Sequence, residues 1–189
     1  MLFNLRRTVM KKYNLIALVV FCLVASALLA GAAGTGGTKG DFPKTTIDVG
    51  IVVSNVEKAA KFYKDVIGFT ELSGFDVSEE MAGDTGLCDY QAFIVRVLVL
   101  GDEPNATRIK IMEFPEAPGK KVDNRFINSS MGLSYLTISV SDMTAALQRA
   151  KKAGVAPVKE PYQLGTGNYY LTLVKDPDGN IIELLGPKK

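Results

Sequence analysis

The stretch IDVGIVVSNVEKAAKFYKDVIG, residues 47–68, contains the pattern that decides the fold. A β-branched run at 47–53 predicts a strand, and the segment after it places apolar residues at the spacing of an amphipathic helix. Ser54 and Glu57 form a capping-box pattern at the start of that helix, and Gly68 is a typical helix stop. The stretch therefore predicts one strand followed by one capped helix.

The same unit returns in SYLTISVSDMTAALQRAKKAG at residues 134–154, where Ser141 corresponds to Ser54 at an offset of 87 residues. Asp48 then corresponds to Tyr135. Three further strands are predicted after each helix, at about 69–75, 91–100 and 107–114, and at about 156–160, 168–175 and 180–186. Each half reads βαβββ, which predicts an α+β fold of paired modules at 45–114 and 133–187. Residues 115–132 have the Pro, Gly and charge density of an intermodule linker.

The N-terminal segment differs in composition from the rest of the chain. RRTVMKKY supplies four positive charges, and a run of about twenty apolar residues follows it. This is the layout of a secretory signal peptide at 1–32, followed by a flexible linker at 33–44. The alternative is an uncleaved N-terminal membrane anchor, because the apolar run approaches the length that spans a bilayer. We therefore expect an exported protein, periplasmic or extracellular, which is membrane-anchored if the leader stays attached and has no other membrane contact.

Composition excludes several classes of function. Without the four basic residues of the leader, 18 of the 22 Lys and Arg remain against 20 Asp and Glu, so nothing favours nucleic acid as a partner. The chain has no histidine, which rules out Ser-His and Cys-His nucleophile pairs and imidazole zinc sites. Acid-base chemistry therefore falls to carboxylates, Tyr or Lys.

Two glutamates in apolar strands are the first candidate functional residues. Glu113 lies in IKIMEF and Glu183 in NIIELL, and each shares strand parity with apolar neighbours. Burying an ionised carboxylate is costly unless it is paired or bound to a metal. Their similar placement predicts that the two glutamates occupy matching positions in the two halves. We expect them to meet Asp48 and Tyr135 in one cleft between the halves. The alternative is an ordinary position at a strand end or on the wetter face of an open sheet.

Two arginines and one loop are further candidates. Arg96 and Arg108 lie on predicted strands, where a guanidinium either clamps an anionic ligand or faces solvent on the back of the sheet. Residues 73–91 are acidic and contain glycine. They form either a mobile loop over the cleft or a plain surface excursion.

These motifs resemble the vicinal oxygen chelate superfamily, which includes glyoxalases, bleomycin-resistance proteins and extradiol dioxygenases. The resemblance rests on DVGIVVSNVEKAAKFYKDVIGF and DPDGNIIEL, separated by a second unit that begins GLSYLTISVSD, and it covers about residues 45–187. It implies paired βαβββ modules that form a cupped mixed sheet, with a cleft for a small-molecule ligand. Such proteins are commonly dimeric, so the resemblance also implies a homodimer.

The resemblance further implies a divalent metal, whose ligands fall on Asp48, Glu113, Tyr135 and Glu183. In the lactoylglutathione lyase branch Glu183 is both ligand and proton-shuttling base, and Glu113 is the second candidate for proton transfer. The superfamily usually has histidine where this chain has Asp48 and Tyr135. Three carboxylates and a phenol form a hard oxygen set, which favours Mg²⁺, Mn²⁺ or Ca²⁺ over Zn²⁺ or Ni²⁺. The alternative is a metal-free cleft, in which the carboxylates contact a cation on the ligand or share a proton.

Two functions remain open at this level. One is a metal-dependent lyase or isomerase that resembles lactoylglutathione lyase, in which Glu183 or Glu113 moves a proton. The other is a non-catalytic binding or sequestering protein of the bleomycin-resistance type. The missing histidines favour binding, whereas the two glutamates favour catalysis. Export disfavours lactoylglutathione lyase itself, because glutathione thioesters and hemithioacetals are mainly cytosolic.

Overall fold

The computed structural model describes residues 46–101 and 106–189. The predicted signal peptide or anchor at 1–32 and the linker at 33–44 lie outside the described residues. Among the helices within the described ranges, none is long and apolar enough to cross a membrane.

Two βαβββ modules follow each other along the chain, as the internal repeat predicts. The first comprises β1 Asp48–Val52, α1 Val56–Phe62, β2 Phe69–Val77, α2 Glu79–Asp84, β3 Phe93–Leu100 and β4 Arg108–Glu113. The second comprises β5 Tyr135–Ser139, α3 Met143–Lys152, β6 Tyr162–Gln163, β7 Tyr170–Lys175 and β8 Ile181–Gly186. Each module forms a mixed four-stranded sheet, in the order β1-β4-β3-β2 or β5-β8-β7-β6. The predicted α+β fold of paired modules is therefore confirmed.

The helix α1 begins one residue later than the predicted capping box. Asn55 is its N-cap, because the Asn55 side chain accepts a hydrogen bond from the Lys58 backbone N–H at 2.8 Å. After Phe62 the helix widens into one π-helical turn, Tyr63–Ile67. It ends at Gly68, whose φ of 103° lies in the region that favours glycine. The prediction of a Ser54 cap is therefore wrong, and that of a Gly68 stop is confirmed.

One predicted strand, at 156–160, does not form. The sheet has instead a two-residue edge strand, β6. Pro157 and Pro161 lack the N–H donors that a longer strand needs, and only edges tolerate such residues. Val158 still donates a backbone hydrogen bond to Leu173 at 2.8 Å. The other predicted strands agree with the structure to within about two residues at each end.

One hydrophobic core joins the two modules. We call the face of each sheet that packs on this core, together with α1 and α3, the inner face, and the opposite face the outer face. Buried side chains on the inner faces include Leu98, Ile109, Ile111, Ile138, Val174, Ile182 and Leu184. A smaller cluster lies on the outer face of the first sheet, where Val95 and Val97 pack with Ala82 of α2. The segment 73–91 therefore contains the end of β2 and a short helix over that outer face.

The DPDG turn ties the second module to the first. Asp176 is only 5% exposed and accepts a hydrogen bond from the Tyr63 hydroxyl at 3.1 Å. It also accepts hydrogen bonds from the backbone and side-chain nitrogens of Asn180, both at 2.8 Å. Asp178 in turn accepts one from the Ser54 backbone N–H at 3.0 Å. Burial, with the charge and hydrogen bond of Asp176 beside it, raises the pKa of Tyr63. The turn is thus a polar connection between the modules, and its Tyr63–Asp176 hydrogen bond is buried.

We expect the wild type to lose stability in alkali through Tyr63, and the Tyr63→Phe variant to lack this loss. Because the pKa of Tyr63 is raised on folding, the folded protein keeps the phenol proton, whereas the unfolded chain releases it above about pH 10. The contribution of Tyr63 to stability is therefore constant below about pH 10 and falls as the pH rises further, by up to about 1.4 kcal/mol per pH unit. Urea unfolding between about pH 8 and pH 11 measures this difference.

The control for this prediction is Tyr162→Phe, which removes the same hydroxyl from an exposed side chain. It should retain the alkaline loss of the wild type. If Tyr63→Phe and the wild type lose stability in parallel above pH 10, burial of the phenol does not cause the change.

Candidate functional site

Glu183 lies in the middle of β8, on the outer face of the second sheet. Its neighbours Ile182 and Leu184 belong to the shared core, so the alternation of a strand turns Glu183 away from that core. It pairs in register with Thr137 of β5 and Leu173 of β7. The Thr137 hydroxyl donates to Glu183 Oε1 at 2.9 Å, and the glutamate is half-buried. The carboxylate is therefore oriented by a hydrogen bond on a face that the core does not cover.

Tyr135 lies on the same outer face, at the start of β5. It is 47% exposed and pairs in register with Ile181, two residues before Glu183. Leu136, the next residue of β5, packs instead against the shared core. The second sheet therefore brings together two of the four predicted site residues, a phenol and a carboxylate.

The outer face of the first sheet carries an ion pair. Lys110 Nζ of β4 lies 3.1 Å from Asp48 Oδ2 of β1, and the two side chains are 39% and 22% exposed. Arg108 shares this face and pairs in register with Asp48. Within the described residues, Arg108 takes part in none of the ion pairs. Two basic side chains thus accompany one acidic side chain on this face.

Lys110, not Glu113, occupies the place in the first sheet that matches Glu183. The offset between β1 and β5 makes Gly50 the counterpart of Thr137. Gly50 pairs in register with Lys110, and Thr137 pairs in register with Glu183. The prediction that Glu113 and Glu183 hold matching positions is therefore wrong, because it aligned strand ends and not the parallel pairing of β1 with β4. The register identifies Lys110 as a site residue that sequence reasoning missed.

Glu113 lies at the end of β4 and shares the parity of Ile109 and Ile111, which belong to the shared core. Its Oε2 accepts a hydrogen bond from the Val56 backbone N–H at 2.8 Å, at the start of α1. A negative charge there also interacts favourably with the positive end of the helix. Glu113 and Glu183 therefore lie on different faces of their sheets, and Glu113 serves a helix terminus.

The four predicted residues do not meet in a single hollow of the chain. Asp48 lies on the outer face of the first sheet, Tyr135 and Glu183 lie on the outer face of the second, and Glu113 lies on an inner face. Two cavities of about 380 and 220 Å³ lie between the modules. Neither cavity is lined by any of the four residues.

The donor set of one chain does not fit a divalent metal. In the part of the chain that the structure describes, no three His, Cys, Asp or Glu side chains are grouped so that they would hold one. The place beside Asp48 that would add a second carboxylate holds Lys110. An ammonium there repels a divalent cation and neutralises the carboxylate that would bind it.

Arg96 has a structural role. Its guanidinium forms ion pairs with Glu57 of α1 and, at 3.4 Å, with Glu71 of β2. Arg96 shares strand parity with Leu98, which lies on the inner face. Of the two arginines singled out from the sequence, only Arg108 lies on an outer face.

The chain is similar to known proteins along most of its described length. The sequence profile of the Glyoxalase/Bleomycin resistance protein/Dioxygenase superfamily matches residues 46–184. A lactoylglutathione lyase of Neisseria meningitidis is 25% identical over 136 residues, which cover 72% of this chain and 86% of that protein. A probable lactoylglutathione lyase of Vibrio cholerae is 25% identical over 137 residues, with the same coverage.

Solved structures show the same fold. A glyoxalase family protein from Bacillus cereus superimposes with a TM-score of 0.67 at 24% identity, over 82% of this chain and 100% of that chain. Glyoxalase I from Zea mays gives a TM-score of 0.58 at 17% identity, over 76% of this chain and 45% of that chain.

Proposed function

The chain belongs to the Glyoxalase/Bleomycin resistance protein/Dioxygenase superfamily, and from this premise we propose that it binds a small oxygen-rich molecule between the outer faces of two copies. One observation carries the proposal: each outer face presents polar side chains beside exposed apolar ones. Asp48 and Lys110 share the first outer face with the exposed Val52, and Glu183 shares the second with the exposed Tyr135. Such mixed surfaces are typical of ligand and subunit contacts.

A homodimer is the arrangement that we propose for this site. Large apolar side chains lie in solvent in the intermodule segment and at the start of the second module, among them Phe126, Met131 and Leu133. Several large apolar side chains exposed within eight residues of chain favour a protein contact. A second copy fits as the partner, because Arg108 and Lys110 of the first outer face are opposite in charge to Glu183 of the second.

The oligomeric state tests this arrangement. We expect sedimentation equilibrium to show a dimer for the wild type and a weakened dimer for Leu133→Glu, by about tenfold or more in dissociation constant. Val158→Glu is the control, because Val158 is also partly exposed but lines the cavity between the modules. A wild type that remains monomeric up to about 1 mM would contradict the shared site.

We also propose that the protein is exported, on the basis of the basic and apolar pattern of residues 1–32. Mass spectrometry of the protein recovered from its producing cells is expected to show a chain that begins at Ala33. A chain that retains residues 1–32 and sediments with membranes would favour the anchor.

A second candidate function is proton transfer, as in a lyase or isomerase. It is supported by the half-buried carboxylate of Glu183, oriented by Thr137, and by the similarity to lactoylglutathione lyases. In this scheme Glu183 removes the proton from the hydroxyl-bearing carbon beside a carbonyl group, and a proton passes from that hydroxyl to the former carbonyl oxygen. Glu183 then returns its proton to the former carbonyl carbon, while Lys110 of the second copy stabilises the intermediate oxyanion. No metal takes part, since the pairing of Asp48 with Lys110 disfavours Mg²⁺, Mn²⁺ or Ca²⁺ at this place.

Conversion of the glutathione hemithioacetal to lactoylglutathione separates the two functions. If Glu183 is the base, Glu183→Gln slows the reaction by about 10²–10⁴-fold, whereas Glu160→Gln, which changes an exposed glutamate, leaves the rate unchanged. If the wild type does not raise the rate above that in buffer alone, the protein does not catalyse this reaction and the result favours the binding function.

A further inference from the structure

We propose that Lys110 is the positive centre of the ligand site and that, with Arg108, it selects a small carboxylate in the place where the superfamily resemblance implies a divalent metal. This inference rests on the proposed function, because it assigns the ligand class of the same site. It depends on where the two basic side chains lie and on what already contacts them.

The first step is the position of Lys110. In each sheet the last strand of the module, β4 or β8, pairs in parallel with the first strand, β1 or β5. In the first module Lys110 of β4 lies opposite Gly50. In the second module Glu183 of β8 lies opposite Thr137, the counterpart of Gly50. The repeat therefore puts opposite charges at equivalent places, and the first module supplies a cation where the second supplies a carboxylate.

The second step is the fixed geometry of the ammonium. Asp48 Oδ2 lies 3.1 Å from Lys110 Nζ and thus holds it on the outer face. A lysine ammonium has three donors, so the bond to Asp48 leaves others for ligand oxygens. Gly50, beside Lys110 in register, adds no side chain, and a Cβ there would come within 3.1 Å of the Met112 methyl group. Asp48 is thus a positioning residue, and Gly50 makes room for the Met112 side chain beside this ion pair.

The third step is the second cation. Arg108 lies on the same face, two residues before Lys110, which is about 7 Å along the strand. It is half-buried and takes part in no ion pair among the described residues. A guanidinium binds a carboxylate through two parallel hydrogen bonds, and its neighbour Lys110 can donate to an adjacent ligand oxygen. Two neighbouring cations on one face therefore favour a small acid that offers a carboxylate to Arg108 and a further oxygen to Lys110.

Calorimetric titration with meso-tartrate and erythritol tests the ligand class. Both probes have four carbons and vicinal hydroxyls, but only tartrate has carboxylates. In buffer from which a chelating resin has removed divalent metals, we expect the wild type to bind tartrate at least about tenfold more tightly than erythritol. Lys110→Met should weaken tartrate binding by about tenfold, Arg108→Met by several-fold, and Lys110→Arg by less than about threefold. The control Lys152→Met removes the same charge from an exposed position on α3 and should change nothing.

A gain-of-metal experiment tests the other half of the proposal. Lys110→Glu places a second carboxylate beside Asp48, so we expect its affinity for Mn²⁺ to exceed that of the wild type by about tenfold or more. Electron paramagnetic resonance of free Mn²⁺ measures this directly. Stoichiometric Mn²⁺ binding by the wild type, or no gain in Lys110→Glu, would overturn the replacement of the metal by Lys110.

Three outcomes of the titrations would overturn the assignment of the ligand. These are equal binding of tartrate and erythritol, unchanged binding in Lys110→Met, and tartrate binding that requires Mn²⁺. None of them bears on the sedimentation of Leu133→Glu, so failure of this inference is distinguishable from failure of the proposed dimeric site. A wild type that is monomeric but still binds tartrate through Lys110 would contradict the proposed dimeric site and support the assignment of the ligand.

Discussion

The Asp176→Ala variant is expected to lose about 3–5 kcal/mol of the free energy of unfolding, because it removes a buried carboxylate on which several donors converge. Asp176 accepts hydrogen bonds from the Tyr63 hydroxyl, from the Asp178 backbone N–H, and from the backbone and side chain of Asn180. Without the carboxylate the buried Tyr63 hydroxyl and the part-buried N–H groups of Asp178 and Asn180 lose their acceptor, and a buried group without a partner carries the full desolvation cost. Urea unfolding near neutral pH measures the loss.

The control for this prediction is Asp123→Ala. Asp123 also accepts hydrogen bonds from a neighbour, Arg125, but both groups lie in solvent. Exposed ion pairs contribute little to stability, so its midpoint in urea should stay near that of the wild type. Equal losses in the two variants would mean that the DPDG turn is not the polar connection described here.

The loss of stability in Asp176→Ala also affects the candidate functional site. The turn leads into β8, which carries Glu183, and Asp178 in the same turn holds the Ser54 backbone at the end of β1. The connection therefore helps to hold β8, which bears Glu183, against the end of β1, which bears Asp48. We expect Asp176→Ala to weaken ligand binding only in proportion to the fraction unfolded, since Asp176 itself lies on neither outer face.

Gly186→Ala is expected to destabilise the protein by about 2–3 kcal/mol, because its new Cβ has no space. That atom would lie 2.1 Å from the carbonyl oxygen of Val140 and 2.8 Å from Val140 Cγ2. The obstacle is backbone, so it cannot move aside as a flexible side chain would. Val140 also donates a hydrogen bond to Leu185 at 2.7 Å, which fixes the end of β5 against the end of β8.

The matched control is Gly167→Ala, in the turn between β6 and β7. An added Cβ at Gly167 meets no atom within 4 Å, so the same substitution should change stability by less than about 0.5 kcal/mol. Thermal and urea unfolding of the two variants give the comparison. Similar stabilities for Gly186→Ala and the wild type would show that the close approach of β8 to Val140 can relax.

The fold could be predicted from the sequence because each local signal has a local cause. The β-branched run at 47–53, the helical spacing after it and the stop at Gly68 all arise within a few residues of chain, and their repetition predicted the second module. The exceptions also have local causes. Pro157 and Pro161 prevent the strand predicted at 156–160, and Asn55 replaces Ser54 as the helix cap because its side chain reaches the Lys58 backbone N–H.

The candidate site was only partly predictable, because strand parity does not reveal which face of a sheet is covered. In β8 the residues of both parities are largely apolar, so nothing local distinguishes the outer position of Glu183 from an inner one. In β4 the parity of Glu113 was assigned correctly with Ile109 and Ile111. That parity, however, leads into the shared core and to the start of α1.

The sequence by itself determined the two βαβββ modules, the elements within them and the set of residues able to carry chemistry in a chain without histidine. The tertiary structure decided which of those residues are neighbours. Only the parallel pairing of β1 with β4 brings Lys110 to Asp48, and only the packing of both sheets on one core separates Glu113 from the outer faces. The reason is physical: helix and strand periods arise from bonds between nearby residues, whereas register and face depend on contacts between segments far apart in the chain.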